Sequence, residues 1–206
     1  MKITGLRPQK RNRKRIAVFL DGAFAFSLAK ELVAELGLKE GQEVDRAELD
    51  RLRWEEQYRK CRDYALLLLS YRARTRAELT QRLSRKSFPA DVIAATIRRL
   101  EELKLLDDAG FAQAFTQDRI TIGHKGKWRV RAELMKRGVA QPEIEKALAG
   151  APDETQAARE LVEKFAQRYR RLEPGVRRRR LYSLLARRGF SPDTIAVVLG
   201  EPESDH

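Results

Sequence analysis

Residues 130–148 read VRAELMKRGVAQPEIEKAL, and the same pattern of apolar positions occurs twice more in the chain. It is found at residues 79–97, LTQRLSRKSFPADVIAATI, and at residues 181–199, LYSLLARRGFSPDTIAVVL. Each copy begins 51 residues after the one before it, without a gap. Because self-similarity at a constant period is the signature of tandem structural units, we predict three copies of one unit.

Five apolar positions recur in every copy. They are Leu79, Leu83, Phe88, Ile93 and Ile97, then Val130, Leu134, Val139, Ile144 and Leu148, then Leu181, Leu185, Phe190, Ile195 and Leu199. The first two positions are four residues apart, as are the last two, so each pair lies on one face of a helix. Between the pairs stands Ser87, Gly138 or Gly189. Glycine there suits the left-handed residue that ends a helix, and Ser87 predicts a slightly different turn in the first copy.

A further helical stretch precedes each pair of helices. Apolar stripes of helical spacing occupy residues 61–69, 111–115 and 161–172, and Thr75-x-x-Glu78 predicts a capping box. We therefore predict a mainly α protein built from three tandem three-helix bundles, elongated and curved as such repeats commonly are.

The first fifty residues follow another pattern. Residues 15–28 alternate apolar side chains around Asp21-Gly22, which predicts a β-hairpin. A three-residue loop ending at Gly22 would place Ile16 and Val18 on one face with Phe24, Phe26 and Leu28, whereas a two-residue turn would divide them. We favour the three-residue loop.

A short helix ending at Gly37 follows the hairpin, and Asp45-x-x-Glu48 predicts the cap of the next helix. The expected organisation is a basic arm, β-hairpin and short helix at residues 1–52, and three-helix repeats at 53–106, 107–151 and 152–206.

Composition favours a polyanionic partner. The chain of 206 residues has 43 basic and 30 acidic side chains, a formal net charge of +13. Its longest apolar run is too short to span a bilayer, and its start does not resemble a secretion signal. The single cysteine, Cys61, excludes an internal disulfide and falls on an apolar stripe, so we expect a core residue in a cytoplasmic protein.

Catalytic motifs are lacking in the sequence. The two histidines are His124, in a loop rich in glycine and lysine, and His206. No phosphate-binding loop, nucleophile elbow or Cys/His cluster is present, so we expect neither an enzyme nor a cofactor. Asp107-Asp108 is better explained by a helix cap than by a metal site.

Basic residues are the better candidates for function. Arg85-Lys86, Lys136-Arg137 and Arg187-Arg188 recur with the repeat, although cations in the last turn also complement the helix dipole. A second group surrounds Trp128, at the start of a helix, where the dipole does not explain them. Trp128 itself could stack on a base, but we favour a packing role. The runs at residues 10–15 and 177–180 are either solvated or in contact with DNA.

Several motifs, in order, resemble the RecX family over about residues 54–199. The motifs are Arg74-Thr75-x-x-Glu78-Leu79-x-x-x-Leu83, Leu105-Leu106-Asp107-Asp108-x-x-Phe111-Ala112-x-x-Phe115-x-x-x-Arg119, Arg131-x-Glu133-Leu134-x-Lys136-Arg137-Gly138-Val139 and Arg188-Gly189-Phe190. The basic hairpin resembles the N-terminal extension of some members.

The resemblance implies a regulator that binds the RecA recombinase and RecA–DNA filaments. Nothing in the sequence demands a dimer, so we expect a monomer. It would inhibit ATP hydrolysis and strand exchange in DNA repair and temper the SOS response, with non-specific contact to single- and double-stranded DNA. The expected RecA/DNA-binding surface consists of Arg72, Arg74, Arg76, Arg85, Lys86, Arg119, Lys125, Lys127, Arg129, Arg131, Lys136 and Arg137. The main alternative is a DNA-binding transcriptional or architectural protein that acts without RecA; an enzyme with an atypical site is a weaker one.

Overall fold

The computed structural model of the chain describes residues 1–200. These residues form three strands, β1 (Ile3–Pro8), β2 (Arg15–Leu20) and β3 (Ala23–Ala29), and ten helices. The helices are α1 (Lys30–Glu35), α2 (Arg46–Tyr71), α3 (Arg76–Ser84), α4 (Ala90–Glu102), α5 (Asp108–Thr121), α6 (Lys127–Lys136), α7 (Gln141–Ala149), α8 (Glu154–Tyr169), α9 (Pro174–Arg188) and α10 (Pro192–Leu199). The expected mainly α class is confirmed. Within the expected third repeat, residues 201–206, with His206, lie outside the described residues.

The helices after α1 come in threes, α2–α4, α5–α7 and α8–α10, as the repeat predicts. Of the fifteen recurring apolar side chains, all but Phe88 and Leu199 are buried, and those two are half-buried. The three central leucines, Leu83, Leu134 and Leu185, are fully buried. The period-51 pattern is therefore the pattern of the core.

The turn between the last two helices of each three has a left-handed residue in all copies. Ser87 has a φ of 60°, close to the 75° of Gly138 and the 84° of Gly189. The N–H of each donates to the carbonyl three residues back, that of Ser84, Met135 or Ala186. Serine at this position adopts the left-handed conformation that glycine adopts at lower cost. The Val139 and Phe190 N–H groups donate to the carbonyls five residues back, and the Phe88 N–H makes no such bond with the described residues, so the expected slight difference in the first turn is confirmed.

The N-terminal sheet has one strand more than expected. β1 pairs antiparallel with β2, and β2 with β3, in the order β1-β2-β3. Residues 10–14 form the exposed connection between β1 and β2, so the basic run is not an arm leading into a two-stranded hairpin. The alternation in β1 is weak because Gly5 and Pro8 interrupt it.

The β2–β3 turn has two residues, Asp21 and Gly22, with φ of 48° and 87°. The expected three-residue loop is therefore wrong. A β-bulge beside Phe19 shifts the register, so that Phe26 still pairs with Val18 and Leu28 with Ile16, on one face of the sheet as predicted. Phe24 pairs with Phe19 on the outer face instead and is 59% exposed.

The chain divides into two compact units. The first comprises Met1–Ser70 and Arg82–Arg99, and the second comprises Tyr71–Gln81 and the chain from Leu100 onward. This division does not follow the expected repeat boundaries, since α2 is one helix across residue 52 and α3 contributes to both units.

In the first unit, the inner face of the sheet packs with α1 and the start of α2. Glu56 of α2 is buried, and its carboxylate accepts from the Ala29 N–H at 2.9 Å and pairs with Arg15 at 2.7 Å and Lys60 at 3.1 Å. Burial alone would raise the pKa of Glu56, but these partners lower it below its ordinary value. Arg15, the last cation of the basic run, thus joins the sheet to α2.

Cys61 is fully buried, as expected of a core residue, and burial raises its thiol pKa.

In the second unit, the second and third repeats share one apolar core. A single cluster of buried side chains runs from Ala112 in α5 to Ile195 in α10. The buried carboxylate of Glu154, at the start of α8, accepts from the Lys127 N–H at 2.5 Å and from the Thr194 hydroxyl at 2.8 Å. One side chain therefore satisfies donors at the beginnings of α6 and α10.

The start of α6 also lies against the end of α9. The Gly126 N–H donates to the Arg188 carbonyl at 3.0 Å, and the Trp128 N–H donates to the Gly189 carbonyl at 3.2 Å. A Cβ at Gly126 would lie 2.1 Å from the Gly189 carbonyl oxygen and 2.2 Å from the Phe190 nitrogen. Both of these atoms belong to the backbone and cannot move aside as the end of a side chain could. Only glycine therefore fits at position 126.

We expect Gly126→Ala to lower the free energy of unfolding by about 3 kcal/mol, because the added methyl group forces two backbone segments apart. Gly150→Ala is the matched control, since its nearest neighbour would be 3.7 Å away and its φ is −84°; we expect a change of less than about 1 kcal/mol. Urea denaturation followed by far-UV circular dichroism measures both. Equal stability of the two variants would contradict the close approach.

Candidate polyanion-binding surface

Of the twelve cations expected to contact RecA or DNA, ten lie in the second compact unit. Arg85 and Lys86 lie in the first. The ten are Arg72, Arg74, Arg76, Arg119, Lys125, Lys127, Arg129, Arg131, Lys136 and Arg137. Tertiary structure places several of them around carboxylates, an arrangement that the sequence did not reveal.

The largest such group is the Glu133 cluster, formed by Arg119, Lys125, Arg129 and Glu133. The Glu133 carboxylate lies 2.7 Å from Lys125, 3.1 Å from Arg129 and 3.3 Å from Arg119. Burial alone would raise the pKa of Glu133, but the hydrogen bonds and positive charges of these neighbours lower it. One carboxylate faces three cations, so the cluster keeps a net positive charge although each cation has an internal partner.

Glu78 organises a second group. Its carboxylate pairs with Arg72 at 2.9 Å and with Arg137. The guanidinium of Arg137 also lies 4.9 Å from the ring centre of Phe115, and its carbonyl accepts from the Thr75 hydroxyl at 2.6 Å. Thr75 caps α3 as predicted, by accepting from the Glu78 N–H at 3.1 Å. Arg137 is therefore a structural residue at least as much as a surface cation.

The remaining expected cations divide into two kinds. Arg76 pairs with Glu101 at 2.9 Å, Arg131 pairs with Glu145, and Lys86 lies 5.4 Å from the ring centre of Tyr64. Arg74 is half-buried. The side chains of Arg85, Lys127 and Lys136 make no ion pair with any residue between 1 and 200. These three side chains remain the simplest candidates, within the expected surface, for contact with a polyanion.

Trp128 does not have the packing role that we favoured. It is 59% exposed at the start of α6, near Met135, which is 56% exposed one heptad later on the same helix face. Its backbone N–H, not its ring, makes the contact with α9. The indole ring is thus exposed at the surface, as the alternative of stacking on a base requires.

The expected surface omitted the most basic segment of the chain. Residues 168–188 contain nine arginines and one glutamate, a formal charge of +8 within the total of +13. Arg178 donates to the Leu199 carbonyl at 2.6 Å and Arg188 to the Gly123 carbonyl at 3.0 Å, so these two hold the fold together. Arg177, Arg179, Arg180 and Arg187 make no ion pair with the described residues. The run of arginines was visible in the sequence, but its freedom from carboxylate partners was not.

The two adjacent aspartates act as helix caps. Asp107 accepts from the Gly110 N–H at 3.0 Å at the start of α5, as predicted, and Asp108 accepts from the Arg76 N–H at 2.7 Å at the start of α3. Burial raises the pKa of Asp108, and the Arg76 N–H opposes that shift. Between residues 1 and 200, no group of three or more His, Cys, Asp or Glu side chains is arranged to hold a metal ion, and no helix is both long and apolar enough to cross a membrane.

We expect Glu133→Gln to lower the free energy of unfolding by about 2 kcal/mol at neutral pH, because three cations lose their shared counter-charge. The folded-state pKa of Glu133 is below its ordinary value of 4.5, so its ion pairs stabilise fully above that pH and are lost as pH falls through the lowered value. The difference between wild type and variant should therefore shrink in acid. Urea denaturation at neutral and acidic pH measures it.

Glu145→Gln is the control for that experiment. The Glu145 carboxylate is exposed, forms an ion pair with Arg131 and accepts from the Gln141 amide, so water screens the ion pair and a smaller loss is expected. An equal loss in the two variants, or a Glu133 effect that persists unchanged in acid, would show that the cluster does not stabilise the fold.

Comparisons with known proteins agree with this architecture. The family model of the regulatory protein RecX N-terminal domain matches residues 1–45. Those of the first, second and third RecX three-helix domains match residues 61–100, 107–148 and 152–199. Regulatory protein RecX of Bacillus subtilis strain 168 is 31% identical over 99% of this chain and 78% of its own length. That of Levilactobacillus brevis is 34% identical over 96% of this chain and 74% of its own length.

Solved structures give the same result. A crystal structure of regulatory protein RecX covers 97% of this chain and 99% of its own, with a TM-score of 0.76 and 26% identity. RecX from Lactobacillus salivarius covers 70% of this chain and 96% of its own, with a TM-score of 0.66 and 27% identity. Four family models in the order of the chain, relatives above 30% identity and a matching fold lead to one conclusion: the chain belongs to the RecX family of regulatory proteins.

Proposed function

We infer that this protein is a regulator of the RecA recombinase: it binds RecA and RecA–DNA filaments in the cytoplasm as a monomer and inhibits ATP hydrolysis and strand exchange. The observation that carries the proposal is its membership of the RecX regulatory family. In this role it would act in homologous recombination, DNA repair and the SOS response. We propose that the protein acts by binding and not by catalysis. Its charged side chains cap helices and form ion pairs with one another, which are structural roles.

The charge of the protein supports a nucleoprotein partner. A formal charge of +13 creates a positive field that attracts polyanions and speeds association with them. The internally paired cations of the second unit supply shape and rigidity, and the unpaired ones supply attraction to phosphate without dependence on base sequence. Contact with single- and double-stranded DNA is therefore proposed to be non-specific.

Titration of the protein into a RecA reaction tests the proposal. We expect inhibition of single-strand-dependent ATP hydrolysis at physiological salt, and at well below one regulator per RecA subunit. Gel filtration of the protein alone should give a monomer. If hydrolysis is unchanged and the protein does not sediment with RecA filaments, the proposal fails, and tight binding to duplex DNA without RecA would favour the alternative of an independent DNA-binding regulator.

A charge-reversal pair tests the expected surface. We expect Arg85→Glu with Lys136→Glu to weaken filament binding about tenfold, because two unpaired cations become anions facing a polyanion. Neither side chain has an ion pair among residues 1–200, but Lys136 lies in the last turn of α6, so reversing its charge opposes the helix dipole and should lower the melting temperature slightly. Lys146→Glu with Lys164→Glu makes the same charge change at two other exposed lysines and serves as the control. Lys146 lies in the last turn of α7, so the control pair should show a similar small loss. Equal weakening by both pairs would assign the effect to net charge and refute this surface.

A further inference from the structure

We propose that a hollow on α9 of the third repeat binds the phosphate backbone of single-stranded nucleic acid. The α9 hollow is lined by Tyr169, Val176, Arg179, Arg180, Ser183 and Arg187 and has a volume of about 340 Å³. The inference deepens the proposed function, in which the protein meets filament-bound DNA, by naming the residues that contact it.

The geometry of α9 brings these side chains to one place. With about 3.6 residues per turn, Arg180, Ser183 and Arg187 follow one another along one face of the helix. Leu185, which belongs to the shared core, lies on the opposite face of the helix, and Leu181, one turn before it, is also buried. Tyr169, from the end of α8, closes one side of the hollow. Three guanidinium groups and a hydroxyl thus line a single concave surface.

The charge of the hollow is uncompensated. Its three arginines make no ion pair with the described residues, in contrast to the cations of the Glu133 cluster. The one carboxylate nearby in sequence, Glu173, caps the helix by accepting from the Val176 N–H at 3.3 Å. Among residues 1–200, the charged side chains that line the hollow are therefore all positive.

Helix stability does not explain the arginines of the first half of α9. Positive side chains near a helix N-terminus oppose the helix dipole. The one acidic side chain at this end of α9 is the N-cap Glu173, whose carboxylate accepts from the Val176 N–H and pairs with no arginine among residues 1–200. Like charges three residues apart, such as Arg177 and Arg180, repel each other. A binding partner that supplies negative charge accounts for their presence.

The chemistry of the patch favours nucleic acid over an acidic protein surface. All nine cations between residues 168 and 188 are arginines and none is lysine. The planar guanidinium group binds a phosphate through two parallel hydrogen bonds and also stacks on bases. Tyr169, which lines the hollow together with Arg179, Arg180 and Arg187, adds an aromatic ring beside these arginines. Arginines with interleaved aromatic rings are typical of surfaces that bind single strands without regard to sequence.

The test compares two triple variants of the full chain. Arg179→Gln, Arg180→Gln and Arg187→Gln together remove the charge of the hollow, and glutamine preserves helix propensity. Arg46→Gln, Arg51→Gln and Arg98→Gln remove the same charge from three exposed arginines of the first unit that have no ion pair with the described residues. Fluorescence anisotropy of a labelled oligothymidine, without RecA, gives the affinity across a series of salt concentrations.

We expect the hollow variant to bind the oligothymidine more than about tenfold more weakly than wild type at physiological salt. Loss of three phosphate contacts should also reduce the slope of log K against log salt by about 2. The control variant should keep the wild-type slope. Unchanged midpoints of urea denaturation show that both variants are folded.

Three outcomes would overturn the proposal. Equal weakening by both triple variants would show that binding depends on the net charge of the protein and not on the hollow. Failure of the wild type to bind oligothymidine would show that single-stranded nucleic acid is not the ligand. A hollow variant that binds DNA normally but no longer sediments with RecA filaments would make the hollow a protein-binding surface. Because the DNA measurement contains no RecA, a failure of ATPase inhibition by wild type would refute the proposed function without deciding the role of the hollow.

Discussion

At Gly126 the backbone that begins α6 lies against the backbone that ends α9, and no side chain fits between them. The buried Glu154 carboxylate holds the same region from the other side, by accepting from donors at the starts of α6 and α10. Together these contacts let Leu134 and Leu185 belong to one continuous core. The second and third repeats therefore form one compact unit and not two separate domains. The relative placement of their surfaces depends on this junction.

The cations of the second unit fall into two classes because of where carboxylates lie. Glu133 and Glu78 each draw several positive side chains into hydrogen-bonded groups, which stiffens the surface and leaves a moderate positive charge. The arginines of α9 form no ion pair with a carboxylate of residues 1–200. Positive charge without an ion pair among residues 1–200 is consequently concentrated in the third repeat, while charge elsewhere in the unit also serves stability. Net charge alone does not distinguish these uses, since it counts paired and unpaired cations alike.

The surface was the harder part to predict. Family motifs and spacing directed attention to cations such as Arg129, Arg131 and Arg137, and these side chains proved to have internal partners. Glu78 and Arg137 are 59 residues apart in sequence, so no local pattern could have joined them. Trp128 was expected to pack because large aromatic residues usually do, yet its ring is 59% exposed and its backbone N–H donates to the Gly189 carbonyl at the end of α9.

By itself, the sequence determined the helical repeat, its buried positions and its caps, because helix periodicity and capping are local properties of the chain. It determined the αL turns too, although Ser87 shows that glycine was not required for one. Only the tertiary structure decided that β1 joins the sheet, that a bulge rather than a longer loop sets the facing of β3, and that two repeats share a core. It also decided which charges are neutralised, because ion pairing depends on the approach of residues that are remote in sequence, and that approach is set by packing.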